Sequence, residues 1–437
     1  MRIGARTIWS QAVQSHAYFG ALAASLIGQA TLAVSGPITA RLLGPTGRGE
    51  LALISIVVVL IGTLGSAGLP SAVAYSIAHE GASARGVLAI LRVRLIQLSV
   101  AAGALCIGSL LLLGRVQPLT SVWFEASLGA LWVVSAMSWL IVLACLQGEQ
   151  KFRHLNLLRP FGPIVTAIAM AVLLVLFHRA TVPVVLGVVV ASNVVACAVG
   201  AAVAIRSLRK ETQTANLKVG ALFSYGMRSL PGTTGPIEAF SLDQVAVGLL
   251  LSRSDLGLYV VAGAFNNLPS ILVSGVGTIA LPRISAERDP TARTRAIRKI
   301  GMLSVAMAAA TSLVAELLVG SLLPLAFGAD FASAVPIARL LILAGLLFAV
   351  RRMLVVFLQA VGRPGRTAVG EAASFIVLAT LALALVPVWG VIGASIAVIS
   401  AAGAGNVYLL WALTRADHEA IAAPTAGVGA QPRRSRP

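Results

Sequence analysis

The sequence predicts an all-α integral membrane protein of about 12 transmembrane helices, and three observations carry that expectation. First, 58% of the 437 residues are hydrophobic and only 11% are charged, where a soluble domain carries about a quarter charged residues. The mean hydropathy is +0.93. Second, stretches of about 20 apolar residues recur along the chain, each long enough to cross a hydrocarbon core of about 30 Å. Third, the alternating pattern of a membrane barrel is absent. Backbone polar groups in lipid must be satisfied within their own segment, so the spans are helices.

Taken in order, the spans fall at 17–43, 50–78, 88–113, 121–147, 157–178 and 182–206, then 219–251, 255–281, 299–327, 334–358, 367–387 and 390–414. The opening "MRIGARTIWSQAVQSH" is basic and polar, with no small-residue cleavage site after a short apolar core. The first span therefore reads as retained rather than as a removed signal peptide. Alternate loops differ sharply in charge. The side holding both termini carries 26 Lys and Arg, against five on the other side. The positive-inside rule places both termini in the cytoplasm. The bias fails only at the first loop pair, where Arg41 and Arg48 stand on the poor side. The tail, 416–437, lacks apolar periodicity and is expected to be a disordered cytoplasmic segment, its last arginines solvated or touching anionic headgroups.

Composition excludes several classes. The net charge of +18 is scattered between hydrophobic spans rather than gathered on one face, which argues against nucleic acid. Cys106, Cys145 and Cys197 lie inside apolar spans without metal spacing, so they read as packing residues. No HExxH, P-loop or GxSxG is present, so neither a catalytic constellation, a metal nor a cofactor is expected.

The chain also repeats itself. "GPTGRGELALISIVVVLIGTLGSAGLPSAVAYSIA" (44–78) resembles "SRSDLGLYVVAGAFNNLPSILVSGVGTIALPRIS" (252–285), with Gly49 aligned to Gly257. "LACLQGEQKFR" (143–153) echoes "VVFLQAVGRPG" (355–365), with Leu146-Gln147 matching Leu358-Gln359. Echoes in one order imply two six-span halves: an N-terminal lobe over 1–211 and a C-terminal lobe over 212–415. An even number of spans per half makes the repeats parallel, and transporters place substrate between such repeats.

Several stretches resemble one family, the polysaccharide transporters or oligosaccharide (O-antigen-type) flippases of the multidrug/oligosaccharidyl-lipid/polysaccharide exporter superfamily. They are "ARLLGPTGRGELAL" (40–53), "FSYGMRSLPGTTGPIEAFSLDQVAVGLLLSRSDLGLYVVA" (223–262), "LPLAFGADFASAVPIARLLILAGLL" (323–347), "LQAVGRPGRTAV" (358–369) and "VPVWGVIGASIAV" (386–398). Each motif is weak alone, and in this order the likeness extends along nearly the whole chain. The resemblance implies two pseudo-symmetric six-helix lobes around a central cavity. It implies passage of a polyprenyl-diphosphate-linked oligosaccharide across a bacterial cytoplasmic membrane for surface polysaccharide or lipopolysaccharide biosynthesis. Membrane lipids are further partners, and a polysaccharide polymerase or glycosyltransferases are candidate ones.

Such a substrate needs cations for two phosphates and polar groups for sugars. Arg228, inside span seven, is the first candidate, because a guanidinium offers two parallel hydrogen bonds to phosphate and a lone charge inside a span costs about 2.5–3.5 kcal/mol. Snorkelling, or pairing with a structural acid, is the alternative. The following "SLPGTTGP" predicts a broken helix with Pro231 and Pro236 as hinge and Thr233 and Thr234 turned to sugar hydroxyls. Asp243 and Glu238 are candidates for ion coupling or a gate, or else structural partners of arginines; Glu316, mid-span, is a candidate for the same role as a proton carrier, or else a protonated residue bonded to a neighbouring helix. Glu371 is expected to reach water or Arg366. Arg41 and Arg48 either draw or gate the diphosphate, the gate closing on acids such as Asp243 and Asp255, or bind lipid headgroups. The rival functions are a multidrug exporter of the same superfamily, whose cavity would be acidic for cations, and a membrane enzyme processing lipid-linked glycan. Short outer loops speak against the enzyme.

Overall fold

The computed structural model describes residues 2–79, 82–117, 119–208, 219–233, 241–287 and 289–422. Thr234, Pro236, Glu238, residues 209–218 and the end of the chain at 423–437 lie outside the described residues. What is described is helical throughout, as the apolar composition requires. The helices are α1 (Arg2–Gly65), α2 (Leu69–His79), α3 (Ala84–Val116), α4 (Val122–Gly148), α5 (Phe152–Leu158), α6 (Phe161–Leu176) and α7 (Val182–Ser207). After them come α8 (Val219–Thr233), α9 (Leu242–Leu250), α10 (Arg253–Gly263), α11 (Leu268–Ala286), α12 (Pro290–Phe327), α13 (Val335–Ala360) and α14 (Gly365–Ala422). Among the described residues eight helices are long and apolar enough to cross a membrane, and one pair bent by 44° makes up to nine. Large apolar side chains such as Trp123, Val175 and Leu317 face outward, which suits a molecule whose solvent is lipid. The chain is a multi-pass membrane protein.

Two of those eight helices are double. Gly44 (φ 66) interrupts α1 and Gly390 (φ 55) interrupts α14. Span one therefore meets span two at a single glycine, not over a loop at 44–49. Pro45 follows immediately, and proline suits the first position of a helix because its missing N–H has no partner there anyway. As a result Arg48 sits in the first turn of a helix, not in a loop. Within span seven α8 runs through Pro231 to Thr233 and α9 begins at Leu242; the stretch at 234–240, where the break was expected, lies outside the described residues. The last helix continues to Ala422, so the tail is helical past 416.

By compactness the chain divides into two units. One comprises Met1–Ala264, Val319–Ala338 and Ala382–Ala394, and the other Phe265–Leu318, Arg339–Leu381 and Ser395–Pro437. The first unit extends to Ala264 because α8 and α10 pack on α2 and α1. The first unit has two apolar cores, one around Ile54, Cys106 and Leu186 and another around Leu69, Leu91 and Leu146. In the second unit Ile284, Leu358 and Leu409 anchor the core.

The repeat has a direct structural expression inside the first unit. A Cβ on Gly49 would lie 1.7 Å from the Arg253 carbonyl oxygen, and a Cβ on Gly257 would lie 1.9 Å from that of Pro45. The contacts are reciprocal: each glycine meets the residue four before its counterpart. The two copies thus cross backbone to backbone, and only glycine permits the approach. The second echo is reproduced as well. Lys151 N–H donates to Leu146 O at 2.9 Å and Arg363 N–H to Leu358 O at 2.9 Å, over Gln150 (φ 57) and Gly362 (φ 76). Both copies end their helix in the same left-handed cap.

Candidate functional site

Polar groups gather at two places among the apolar helices of the first unit. The first is a cavity of about 630 Å³ between α2, α4 and α5. Tyr75 and Ser71 come from α2, Gln147 and Gln150 from the end of α4, and Arg159 from the end of α5. The cap that closes α4 relates the two glutamines: the chain turns at Gln150, whose N–H donates to Gln147 O at 3.1 Å, and both residues line the cavity. Tyr75 stacks on His79 at 5.1 Å and on Tyr225 of α8 at 4.5 Å, with ring planes 22° and 19° from parallel. The α8 backbone reaches this position because Gly68 and Gly226 touch: a Cβ on Gly68 would lie 2.1 Å from Gly226 O.

Arg228 stands three residues after Tyr225, hence on the same face of α8, and its side chain is exposed. The aromatic stack offers a flat apolar face, the glutamines offer both donors and acceptors, and the two guanidiniums offer charge. Such a set accommodates a sugar ring and a phosphate. Among the described residues that line the cavity there is no Asp or Glu.

The second place lies at the glycine crossing. Glu50, 2% exposed, accepts from Thr120 N–H at 2.5 Å, from the Thr120 hydroxyl at 2.9 Å and from Arg253 Nη1 at 2.8 Å. Glu125 of α4 is fully buried beside it, and neither of its oxygens closes a hydrogen bond, the Ser121 backbone N–H being the donor directed at it. It lies within hydrogen-bonding reach of Glu50 and feels the charges of Glu50 and Arg253.

The residues singled out in the sequence are dispersed. Arg41 donates through Nε to Ala326 O at 2.8 Å and through Nη2 to Leu325 O, which satisfies carbonyls left free at the end of α12. Arg48 is half-buried and its Nε has no partner. Asp243 accepts from the Tyr259 hydroxyl at 2.8 Å rather than from an arginine. Asp255 closes the N-terminus of α10 in a capping box with Ser252. Glu316 pairs with Arg339 at 3.3 Å. Glu371 pairs with Arg351 at 2.6 Å, not with Arg366, which instead donates to Ala412 O. Pro231 and Thr233 lie in the last turn of α8. Tyr75, Gln150, Arg159, Tyr225, Glu50 and Glu125 were not singled out. Only Gln147 carried a signal, through the repeated Leu-Gln pair.

Three comparisons bear on this arrangement. The family model for polysaccharide biosynthesis proteins matches residues 38–336. The probable flippase AglR of Haloferax volcanii is 28% identical over 196 residues, 44% of this chain and 40% of that protein's length. The chain thus matches less than half of that relative. An inward-facing multidrug resistance transporter of the MATE family, in the MOP superfamily, superposes with a TM-score of 0.70 at 14% identity, over 90% of this chain and 96% of that one. The lipid II flippase MurJ, in an inward closed conformation, gives 0.69 at 12% identity, over 91% and 88%. At such identities these two likenesses establish the fold: that of the MOP-superfamily transporters.

Proposed function

Because the chain belongs to the polysaccharide biosynthesis protein family, we propose that it is a flippase carrying a polyprenyl-diphosphate-linked oligosaccharide across the cytoplasmic membrane of a bacterium. The carrying observation is the cavity at Tyr75: lined by aromatic and amide side chains, with Arg159 at its wall and without an acid in its described lining, while Arg228 follows one turn after the stacked Tyr225 on α8. An exporter of organic cations would need the opposite charge. The likeness to a probable flippase supports the same reading. In this proposal the side rich in Lys and Arg is cytoplasmic, so the cavity, next to Lys151, faces the leaflet where the lipid-linked glycan is made. The twelve spans, the lobes at 1–211 and 212–415, and a hinge at Pro231–Pro236 belong to the same proposal, as do glycosyltransferases or a polymerase as partners.

The test is flipping of a labelled lipid-diphosphate oligosaccharide in liposomes at matched protein level. A charge-assisted hydrogen bond contributes about 1.5–3 kcal/mol, or roughly ten- to hundredfold in affinity. Arg228→Ala and Arg159→Ala should each lose transport on that scale. Arg228→Lys should keep part of it, and Arg228→Glu should fall below alanine. Equal rates for wild type, alanine and glutamate would remove phosphate from the role of Arg228. Uptake of an organic cation by the glutamate variant would put the exporter ahead.

A further inference from the structure

The cluster of Glu50, Glu125 and Arg253 contains two carboxyls and one guanidinium, all inside apolar helices. Glu50 and Arg253 neutralise each other at 2.8 Å. The closed hydrogen bonds near the pair go to Glu50, two from Thr120 and one from Arg253, while the Ser121 backbone N–H is directed at Glu125 without closing one. Glu125 is left with two buried acceptor oxygens and no closed hydrogen bond. As a carboxylate it would be an uncompensated buried charge facing a second carboxylate, which burial penalises heavily. One added proton removes both defects, since it neutralises Glu125 and supplies the missing donor toward Glu50. The charged groups that act on Glu125 are Glu50 from α1 and Arg253 from α10. A metal cation is a poorer occupant. Such ions take about six or more oxygen ligands, and no group of three metal-ligating side chains occurs among the described residues.

The cluster also occupies a mechanical position. Glu50 adjoins Gly49, and Arg253 carries the carbonyl that Gly49 touches. The Glu50–Arg253 ion pair therefore clamps the crossing of the two repeat copies. We propose that Glu50 and Glu125 share one proton, and that its release sets both carboxylates competing for Arg253 and loosens this crossing. The structure thereby carries a proton-operated latch. Its use in transport rests on the flippase proposal, whereas the proton site does not.

The experiment uses the full chain in lipid nanodiscs, with Glu125→Gln and Glu50→Gln beside wild type. Infrared difference spectra across pH should show a protonated carboxyl in wild type that Glu125→Gln abolishes. In Glu50→Gln the neighbouring charge is gone, so the same band should titrate at least one pH unit lower, about a tenfold loss of proton affinity. Hydrogen exchange of peptides spanning 45–57 and 253–261 reads the latch. Compared at each pH, wild type and Glu125→Gln should be equally protected at low pH, and wild type should lose protection as pH rises. No Glu125-dependent band, an unmoved titration in Glu50→Gln, or equal protection at every pH would each overturn the proposal. Should Glu125→Gln fail to fold, the Glu50→Gln titration decides. A band or protection that responds to sodium at fixed pH would replace the proton with a metal cation and overturn it likewise. Flipping against pH is measured separately. Absence of flipping at any pH would refute the flippase proposal while leaving the infrared and exchange results to judge the latch.

Discussion

Replacing Arg253 with alanine strands two buried carboxyls, Glu50 and Glu125, without a cation. Removing one partner of a buried ion pair costs about 3–5 kcal/mol, so Arg253→Ala should lower the unfolding temperature in detergent strongly. Arg253→Lys should recover part, because it keeps the charge and loses the planar fork. Unchanged stability in Arg253→Ala would mean that Glu50 is not held as a carboxylate. The first-loop arginines, Arg41 and Arg48, were noticeable in the sequence because they break a charge bias. Long-range partners were not, since Arg41 meets carbonyls 284 and 285 residues away and Glu50 meets Arg253 across 203. No local pattern encodes contacts at that separation.

Helix glycines give a sign test at the scale of elements. In an open helix Gly→Ala stabilises by about 0.5–1 kcal/mol. Gly62 and Gly108 have nothing within 4 Å of an added Cβ, so alanine there should raise the melting temperature. Gly49 and Gly257 meet backbone atoms below 2 Å, so alanine there forces the crossing apart and should destabilise by about 1–3 kcal/mol or more. A stabilised Gly49→Ala would mean that α1 and α10 do not cross there. The start of α12 supplies a pH test. Asp289 caps it, accepting from the Thr291 hydroxyl at 2.7 Å and from the Thr291 and Ala292 amides. These bonds, the Thr291 hydroxyl first, hold the carboxyl below its ordinary value. A carboxylate with a depressed value stabilises the folded form fully above the ordinary carboxylate range, and the contribution is lost as pH falls through the depressed value. Amide exchange over 291–295 should therefore quicken in acid beyond its intrinsic trend, and Asp289→Asn should abolish that excess.

For the whole molecule the expectations concern sidedness and motion. Single cysteines at 115–121 should label from outside the cell and those at 207–217 from the cytoplasm, as the distribution of 26 against five basic residues requires. Labelling of both from one side would refute the twelve-span topology. Replacing Pro231 and Pro236 with alanine restores two backbone donors and should slow flipping while leaving expression intact. Equal transport would take the proline segment out of the mechanism.

Helical membrane architecture was legible in the sequence because it follows from composition and from the need to satisfy backbone groups in lipid, both properties of consecutive residues. The repeat was legible for a related reason: Gly49 and Gly257, or Leu146-Gln147 and Leu358-Gln359, are identities that survive in the chain itself. Where those glycines meet was not. The sequence marks them as equivalent, and only packing brings each against the other copy's backbone. The same holds for the site. Arginines and prolines stand out against apolar spans, but tyrosines and glutamines do not, and a cavity exists only once Tyr75, Gln147 and Arg159 come together from three helices. Glu50 and Glu125 were two more acids in a list of 15. Burial, and the presence of a single guanidinium between them, is what gives them chemistry, and both are decided by the tertiary fold because charge in a dry interior depends on neighbours in space rather than in sequence.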